Sequence, residues 1–275
     1  MLNSLGRGDS ASRPRARILT KPVWALFFTN IFLFSSLNLL LTTMPLYLQD
    51  RGMSEGQIGF IFGGFYVACI LMRLISGKFS RRLGEIRVLW IGLALTTLGN
   101  FLFLAFDSFI NYFATRLLFG AGFGLATTLI ISLASKIIPS HKLAEGLGYL
   151  AMGASLALAG GPMAGIKLNE IYGFKITMIC VVTGLFLALL VTLTLRQKYF
   201  QINYVIPKAE KTKFSLPGKE ITVPAFLTFL LGASCCGIFT YLVLYFDEMR
   251  LNGAGYFFLI ATIGIVITRL LGGRI

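Results

Sequence analysis

Few side chains in this 275-residue chain could do chemistry within an apolar environment. Three arginines stand inside long apolar runs: Arg73, Arg116 and Arg269. A charged side chain inside a membrane-spanning helix costs about 2.5–3.5 kcal/mol on insertion scales. We therefore expect Arg116, which follows a polar helix start, to face the protein interior with a partner, where it could attract negative charge.

The residue types that build catalytic and metal sites are sparse. The chain has four cysteines and one histidine, His141, and none of them has ligand-like neighbours at metal spacing. None of the eleven Asp and Glu residues lies inside an apolar run. A membrane enzyme would need a cluster of such groups at membrane depth. We expect no enzyme activity, no metal site and no cofactor.

These residues must be positioned by membrane-spanning helices. Charged residues make up only 13% of the chain, against about 25% in soluble domains. A span needs about 20 mostly apolar residues. The apolar runs predict eight spans, at 23–45, 57–76, 87–106, 109–135, 146–166, 174–195, 223–245 and 256–273.

The basic residues indicate the orientation of the chain. With the N-terminus in the cytoplasm, 17 Lys and Arg residues fall inside and four fall outside. The net charge of +14 is therefore explained by topology, and we expect no nucleic-acid partner. The organisation predicted is a cytoplasmic tail (1–22), a six-helix bundle (23–195), a basic cytoplasmic linker (196–222) and the start of a second bundle (223–275).

A short sequence repeat supports two related bundles. RLISGKF at 73–79 and RLLGGRI at 269–275 are 196 residues apart, and each ends an even-numbered span. Duplicated halves are common in transporters. Chance similarity between apolar helices is the alternative. If the halves are equal, the chain is a fragment of a protein of roughly 400 residues, with four further helices.

Three motifs resemble those of the major facilitator superfamily. GKFSRRLG at 77–84 resembles the loop signature G-x-x-x-D-R-x-G, with Gly77, Arg82 and Gly84 matching and Arg81 standing where the family usually has Asp. Gly77 and Gly84 are expected to allow tight turning and close helix approach. The acidic contact of the family is thus altered here, although Glu85 lies nearby.

The other two motifs lie within spans. RLLFGAGFG at 116–124, which includes Gly120, resembles the arginine motif of helix 4. AGGPMAG at 159–165 resembles the exporter motif G-x-x-x-G-P-x-x-G, with Gly161, Pro162 and Gly165 matching. Pro162 is expected to kink its helix, and the glycines to let neighbouring helices pack closely.

The resemblance implies an all-α integral membrane protein with a complete N-terminal six-helix bundle and the first two helices of a second. It also implies alternating access around a central cavity. Arg116 and Asn38 are predicted to lie at similar depth and to line this cavity. Further polar residues expected there are Asn30, Ser35, Thr127, Thr128, Thr240, Tyr241 and Tyr245. Arg73, Gly120 and Arg269 are assigned to gating and helix packing.

The function implied is export of a small organic molecule by a monomer in the bacterial cytoplasmic membrane. Uptake of a sugar or organic acid is the alternative within the family, and a membrane scaffold or receptor is the alternative outside it. Protons are the coupling ion that the resemblance suggests. Because no carboxylate lies inside a span, coupling stays open, and a neutral or anionic substrate is slightly favoured.

Overall fold

Polar caps and apolar interiors together define the helices of the chain. A computed structural model describes residues 20–105, 107–195 and 219–249, together with helical positions 257, 260, 261, 263, 264 and 267. The helices are α1 (Lys21–Asp50), α2 (Glu55–Leu83), α3 (Glu85–Leu102), α4 (Phe109–Ile137), α5 (Leu143–Leu193) and α6 (Lys219–Glu248), with a short 3-10 turn at Ser140–Lys142. The predicted all-α membrane fold is confirmed.

The helix starts follow from local chemistry. Ser54 and Gln57 form a reciprocal capping box at the start of α2, and the Ser108 hydroxyl accepts a hydrogen bond from the Asn111 N–H at the start of α4. Pro22 lies in the first turn of α1, where a missing N–H costs no helical hydrogen bond. Among the described residues, five segments are long and apolar enough to cross a membrane.

α1 and α2 are among the helices that run further than their apolar runs predicted. α1 continues past Pro45 to Asp50, because a proline removes one hydrogen bond without ending a helix whose neighbours support it. α2 continues to Leu83, so Gly77 lies inside the helix rather than in a turn. Among the described residues, a Cβ on Gly77 would meet no atom within 4 Å, so the expected turn and close approach at Gly77 are wrong for this part of the chain.

Two glycines make the sharp changes of chain direction. Gly84 alone joins α2 to α3, with a φ of 86°. Gly173, with φ 79° and ψ 168°, breaks α5 into two arms, which correspond to the predicted fifth and sixth spans. Both conformations strongly favour glycine, because a Cβ would clash with the backbone.

The buried core of the first bundle extends from Val23 to Leu195. α1 packs mainly against α5, and α4 lies between α2 and α3. Of the predicted linker, residues 196–218 lie outside the described part of the chain, and α6 begins at Lys219. Arg269 and the second copy of the repeat also lie outside the described residues.

Candidate functional site

Arg116 is the largest fully buried side chain of the described bundle, with 2% of its surface exposed. It lies in α4, seven residues after the helix start at Phe109. Its guanidinium carbon lies 4.5 Å from the ring centroid of Phe62, 5.5 Å from that of Phe119 and 5.8 Å from that of Phe65. The faces of these rings stabilise the positive charge.

Two nitrogens of this guanidinium lack a protein partner. Nε and Nη2 of Arg116 are buried and have no hydrogen-bond partner among the described residues. Buried polar groups are nearly always hydrogen-bonded, so such atoms call for an explanation. The interior position expected for Arg116 is therefore found, and the partner expected with it is not seen for these two atoms.

Glycines of α4 make the close packing around Arg116 possible. A Cβ on Gly120 would collide with the Phe65 carbonyl oxygen, and one on Gly124 would collide with the Cys69 carbonyl oxygen, so this side of α4 touches the α2 backbone. Gly122 faces the opposite way, against Gly92 of α3. The three small residues thus place α4, and with it Arg116, in backbone contact with two neighbouring helices.

Asn38 does not lie at the depth of Arg116. The rings of Tyr47 in α1 and Tyr112 in α4 are 6.4 Å apart and so mark a common level. At 1.5 Å per residue, Asn38 is about 14 Å along α1 from that level and Arg116 only about 6 Å along α4. The similar depth that we expected is wrong, because α1 continues beyond Pro45.

Aromatic rings connect the two side chains instead of a hydrogen bond. The Asn38 amide donates to the Phe34 carbonyl, at 2.8 Å, within its own helix. The Phe34 ring lies 5.3 Å from the Phe123 ring, and Phe123 lies 6.0 Å from Phe119 beside Arg116. The sequence reasoning missed these rings. Their one visible signal was Phe119, which stands one helical turn after Arg116.

Asn30 holds two helices together. Its side-chain amide donates to the Leu150 carbonyl of α5, at 2.9 Å, and the residue is 7% exposed. In an apolar environment, such a bond between helices is favoured because the polar group has few other partners. The structure thus gives Asn30 a bracing contact, which was not part of the cavity role predicted for it.

Arg73 and Thr127 meet in the half of the bundle that contains the end of α2 and the end of α4. Nη2 of Arg73 in α2 donates to the hydroxyl of Thr127 in α4, at 3.3 Å, and Thr127 is buried. Thr127 is eleven residues beyond Arg116 along the same helix, a distance of about 16 Å. A residue assigned to gating and one assigned to the cavity are therefore direct neighbours.

The exporter-like segment of α5 packs on α1. A Cβ on Gly161 would come within 2.6 Å of the Asn38 Cβ, and one on Gly165 within 2.9 Å of the Leu39 carbonyl oxygen. Pro162 lies between them inside the helix. The absence of side chains at the two glycines brings the α5 backbone close to α1 at the level of Asn38.

The remaining predicted residues are more exposed. Tyr241 and Tyr245 of α6 are 40% and 51% exposed, and the Tyr241 hydroxyl lies 2.7 Å from where a Cβ on Gly59 of α2 would stand. Arg82 is exposed at the inner end of α2. The side chain of Thr240 lies outside the described set. Ser35 and Thr128 are half-buried.

The end of α1 and the start of α4 are joined by an aromatic and charged cluster that sequence reasoning did not find. Asp107 pairs with Arg51 and accepts a 2.7 Å hydrogen bond from the Tyr112 hydroxyl. The Tyr47 ring stacks on Phe174, with centroids 4.0 Å apart. This cluster ties α1, the start of α4 and the break in α5 to one another.

Comparisons with known proteins agree with this architecture. Quinolone resistance protein NorA of Staphylococcus aureus is 24% identical over 153 residues, which are 56% of this chain and 39% of that protein. Multi-drug resistance efflux pump PmrA of Streptococcus pneumoniae is 28% identical over 204 residues, which are 71% of this chain and 48% of that protein. The chain thus spans less than half the length of these relatives.

Solved structures show the same fold. The crystal structure of a D-xylose-proton symporter matches with a TM-score of 0.61 at 15% identity, over 91% of this chain and 66% of that one. The peptide transporter POT in complex with sulfate matches with a TM-score of 0.58 at 19% identity, over 91% and 51%. A family model described as Major Facilitator Superfamily matches residues 26–275. The chain belongs to the major facilitator superfamily.

Proposed function

We propose that this protein exports a small organic molecule across the bacterial cytoplasmic membrane by alternating access. The proposal is supported by membership of a transporter family and by relatives named as a resistance protein and an efflux pump. In this proposal the protein acts as a monomer, with its N-terminus in the cytoplasm. The positive-inside distribution of Lys and Arg supports that orientation.

The observation that carries the alternating-access proposal is the contact between the α5 glycine–proline segment and α1. Gly161 and Gly165 put the α5 backbone against α1 on both sides of Pro162. Proline removes one helical hydrogen bond and so eases bending at this point. Close contact between small residues lets one helix tilt on another with little side-chain rearrangement. We infer that α5 bends here when the cavity changes the side it opens to.

The cavity proposed here is polar at two levels. Arg116 supplies a buried charge in the outer half, and Thr127, held by Arg73, supplies a hydroxyl in the inner half. Asn38 stands between these levels, opposite Gly161. Tyr241 and Tyr245 are proposed to contribute from the second bundle, since their rings are exposed in the described structure.

Transport by membrane vesicles of opposite orientation tests the export direction. We expect solute to accumulate in energised inverted vesicles that contain the protein and not in right-side-out vesicles. Collapse of the proton gradient should abolish accumulation if protons are the coupling ion. Accumulation only in right-side-out vesicles would instead establish uptake and contradict the proposal. A Pro162→Ala variant should slow transport while still inserting into the membrane.

A further inference from the structure

Arg116 is a buried charge that the described bundle leaves only partly compensated. The side chain is 2% exposed, and its Nε and Nη2 atoms have no hydrogen-bond partner in the described part of the chain. A buried ion is costly unless it is paired and hydrogen-bonded. A partner that binds to the guanidinium would therefore stabilise this charge.

The two unpartnered nitrogens specify the shape of that partner. In a guanidinium group, the Nε–H and Nη2–H bonds lie on the same edge and point in the same direction. This edge binds two oxygens of one planar carboxylate, through two parallel charge-assisted hydrogen bonds. The free edge of Arg116 thus fits a bidentate oxyanion better than a single carbonyl or hydroxyl group.

The protein does not supply this oxyanion from the described helices. The acidic side chains that the structure describes belong to residues at helix ends or in connections: Asp50, Glu55, Glu85, Asp107, Glu145, Glu170 and Glu248. Tyr66 of α2 interacts electrostatically with Arg116. A neutral phenol, however, does not balance a full positive charge.

The surroundings of the Arg116 guanidinium are apolar and aromatic. Phe62, Phe65 and Phe119 lie around the guanidinium, with ring centroids 4.5 to 5.8 Å from its carbon. Their faces stabilise the cation but offer no oxygen to the N–H bonds. Because a dianion such as phosphate loses more hydration energy than a monoanion, this site favours a carboxylate attached to an apolar group.

We propose that the Nε–Nη2 edge of Arg116 binds the carboxylate of the transported molecule, so that the substrate is a small apolar organic acid. The apolar part of the acid packs against Phe62, Phe65 and Phe119, and the carboxylate replaces the missing partner of the guanidinium. This inference rests on the proposed transport function, whose substrate class it names.

Binding of radiolabelled benzoate to the protein in lipid nanodiscs tests the site. Benzoate should bind, and benzamide and benzylamine, which keep the ring but lack the carboxylate, should compete at least tenfold more weakly. Inorganic phosphate should compete weakly as well. An absence of benzoate binding at millimolar concentration would overturn the proposal, as would equal competition by benzamide.

Variants of Arg116 show whether the binding belongs to this residue. Arg116→Gln should weaken benzoate binding at least tenfold, and Arg116→Lys should weaken it less, because it keeps the charge but loses the paired edge. Arg87→Gln removes an exposed arginine from α3 and should leave binding unchanged. Unchanged binding in Arg116→Gln would overturn the proposal. If the Arg116→Gln variant does not fold, benzoate binding is measured instead in the Arg116→Lys and Phe62→Leu variants. Both should bind benzoate more weakly, and unchanged binding in both would overturn the proposal.

Vesicle flux separates this proposal from the transport function. Arg116-dependent benzoate binding without flux of any solute would contradict the proposed transport function and still support the proposed binding site. Flux of a cationic dye that is equally fast in Arg116→Gln vesicles would support transport and overturn the organic-acid substrate.

Discussion

The carboxylate of Glu85 lies 2.7 Å from the ammonium group of Lys136, so the first turn of α3 is tied to the last turn of α4. The same carboxylate accepts a 2.8 Å hydrogen bond from the Ser132 hydroxyl. The family signature would place its acid at position 81, where this chain has Arg81. Glu85 is thus an acidic residue directly after this signature, with a defined partner.

Neutralising the Glu85–Lys136 pair should weaken the contact between the start of α3 and the end of α4. The two side chains are 19% and 26% exposed, so solvent screens their attraction only in part. We expect Glu85→Gln and Lys136→Met each to lower stability, with a coupling energy of about 0.5–1.5 kcal/mol in a double-mutant cycle. The free energy of unfolding of each variant, measured in detergent, gives this coupling energy. Lys78→Gln, on the exposed end of α2, is the matched control and should have little effect.

A methyl group at Gly120 should be poorly tolerated. Its Cβ would collide with the Phe65 carbonyl oxygen, so α4 would have to move away from α2. We expect Gly120→Ala to destabilise the bundle by about 1–3 kcal/mol, as overpacked sites do. Thermal unfolding monitored by circular dichroism would show the loss.

Gly77→Ala is the control for the Gly120 prediction. Gly77 is also helical, but a Cβ there would have no neighbour within 4 Å. Alanine should be neutral or should stabilise α2 by about 0.5–1 kcal/mol, because it has less conformational freedom to lose. Equal effects of the two substitutions would contradict the packing described for α4.

The break in α5 should depend on Gly173. Its φ of 79° and ψ of 168° are almost exclusive to glycine, and a non-glycine residue there costs about 1–3 kcal/mol. Gly173→Ala should therefore lower the unfolding temperature. Gly160 lies in the first arm of the same element, and no described atom lies within 4 Å of a Cβ there. Gly160→Ala should therefore leave the unfolding temperature unchanged. A stable Gly173→Ala variant would show that the two arms are joined differently.

Removing the Asn30 amide should weaken the contact between α1 and α5. The bond to the Leu150 carbonyl is 2.9 Å long, and hydrogen bonds between membrane helices contribute about 0.6–1.7 kcal/mol. We expect Asn30→Leu to lower stability by that amount without altering substrate affinity in vesicle transport. Thr29→Val is the matched control, since the Thr29 hydroxyl bonds to Ala25 in its own helix. A change in substrate affinity would instead support the cavity role predicted for Asn30.

The sequence predicted the helices better than it predicted their faces. The apolar runs placed the α4 start at residue 109, and the glycines of α4 and α5 indicated close helix contacts that the structure contains. In a bilayer, residues facing lipid and residues facing the core are both apolar, so hydropathy alone does not distinguish these two faces. For this reason the sequence did not indicate that the Asn30 amide contacts α5, and its cavity role stays a prediction.

Contacts between distant residues were harder to anticipate. The pairs Glu85–Lys136 and Asp107–Arg51 join residues 51 and 56 positions apart, and no local pattern indicates such a pairing. The depth of Asn38 was misjudged because Pro45 was taken as the helix end. The aromatic rings around Arg116 belong to α2 and α4, and the packing of Gly120 and Gly124 against the α2 backbone brings them together.

The close backbone packing of α4 limits which of its residues can be substituted. Gly120, Gly122 and Gly124 are constrained by neighbouring backbones, so that stretch of the helix has little freedom to vary. The rings of Phe62 and Phe119 meet Arg116 through side-chain atoms alone. In the substrate site proposed above, substitution of these two rings would therefore change the solute preference and leave the backbone contacts of α4 in place.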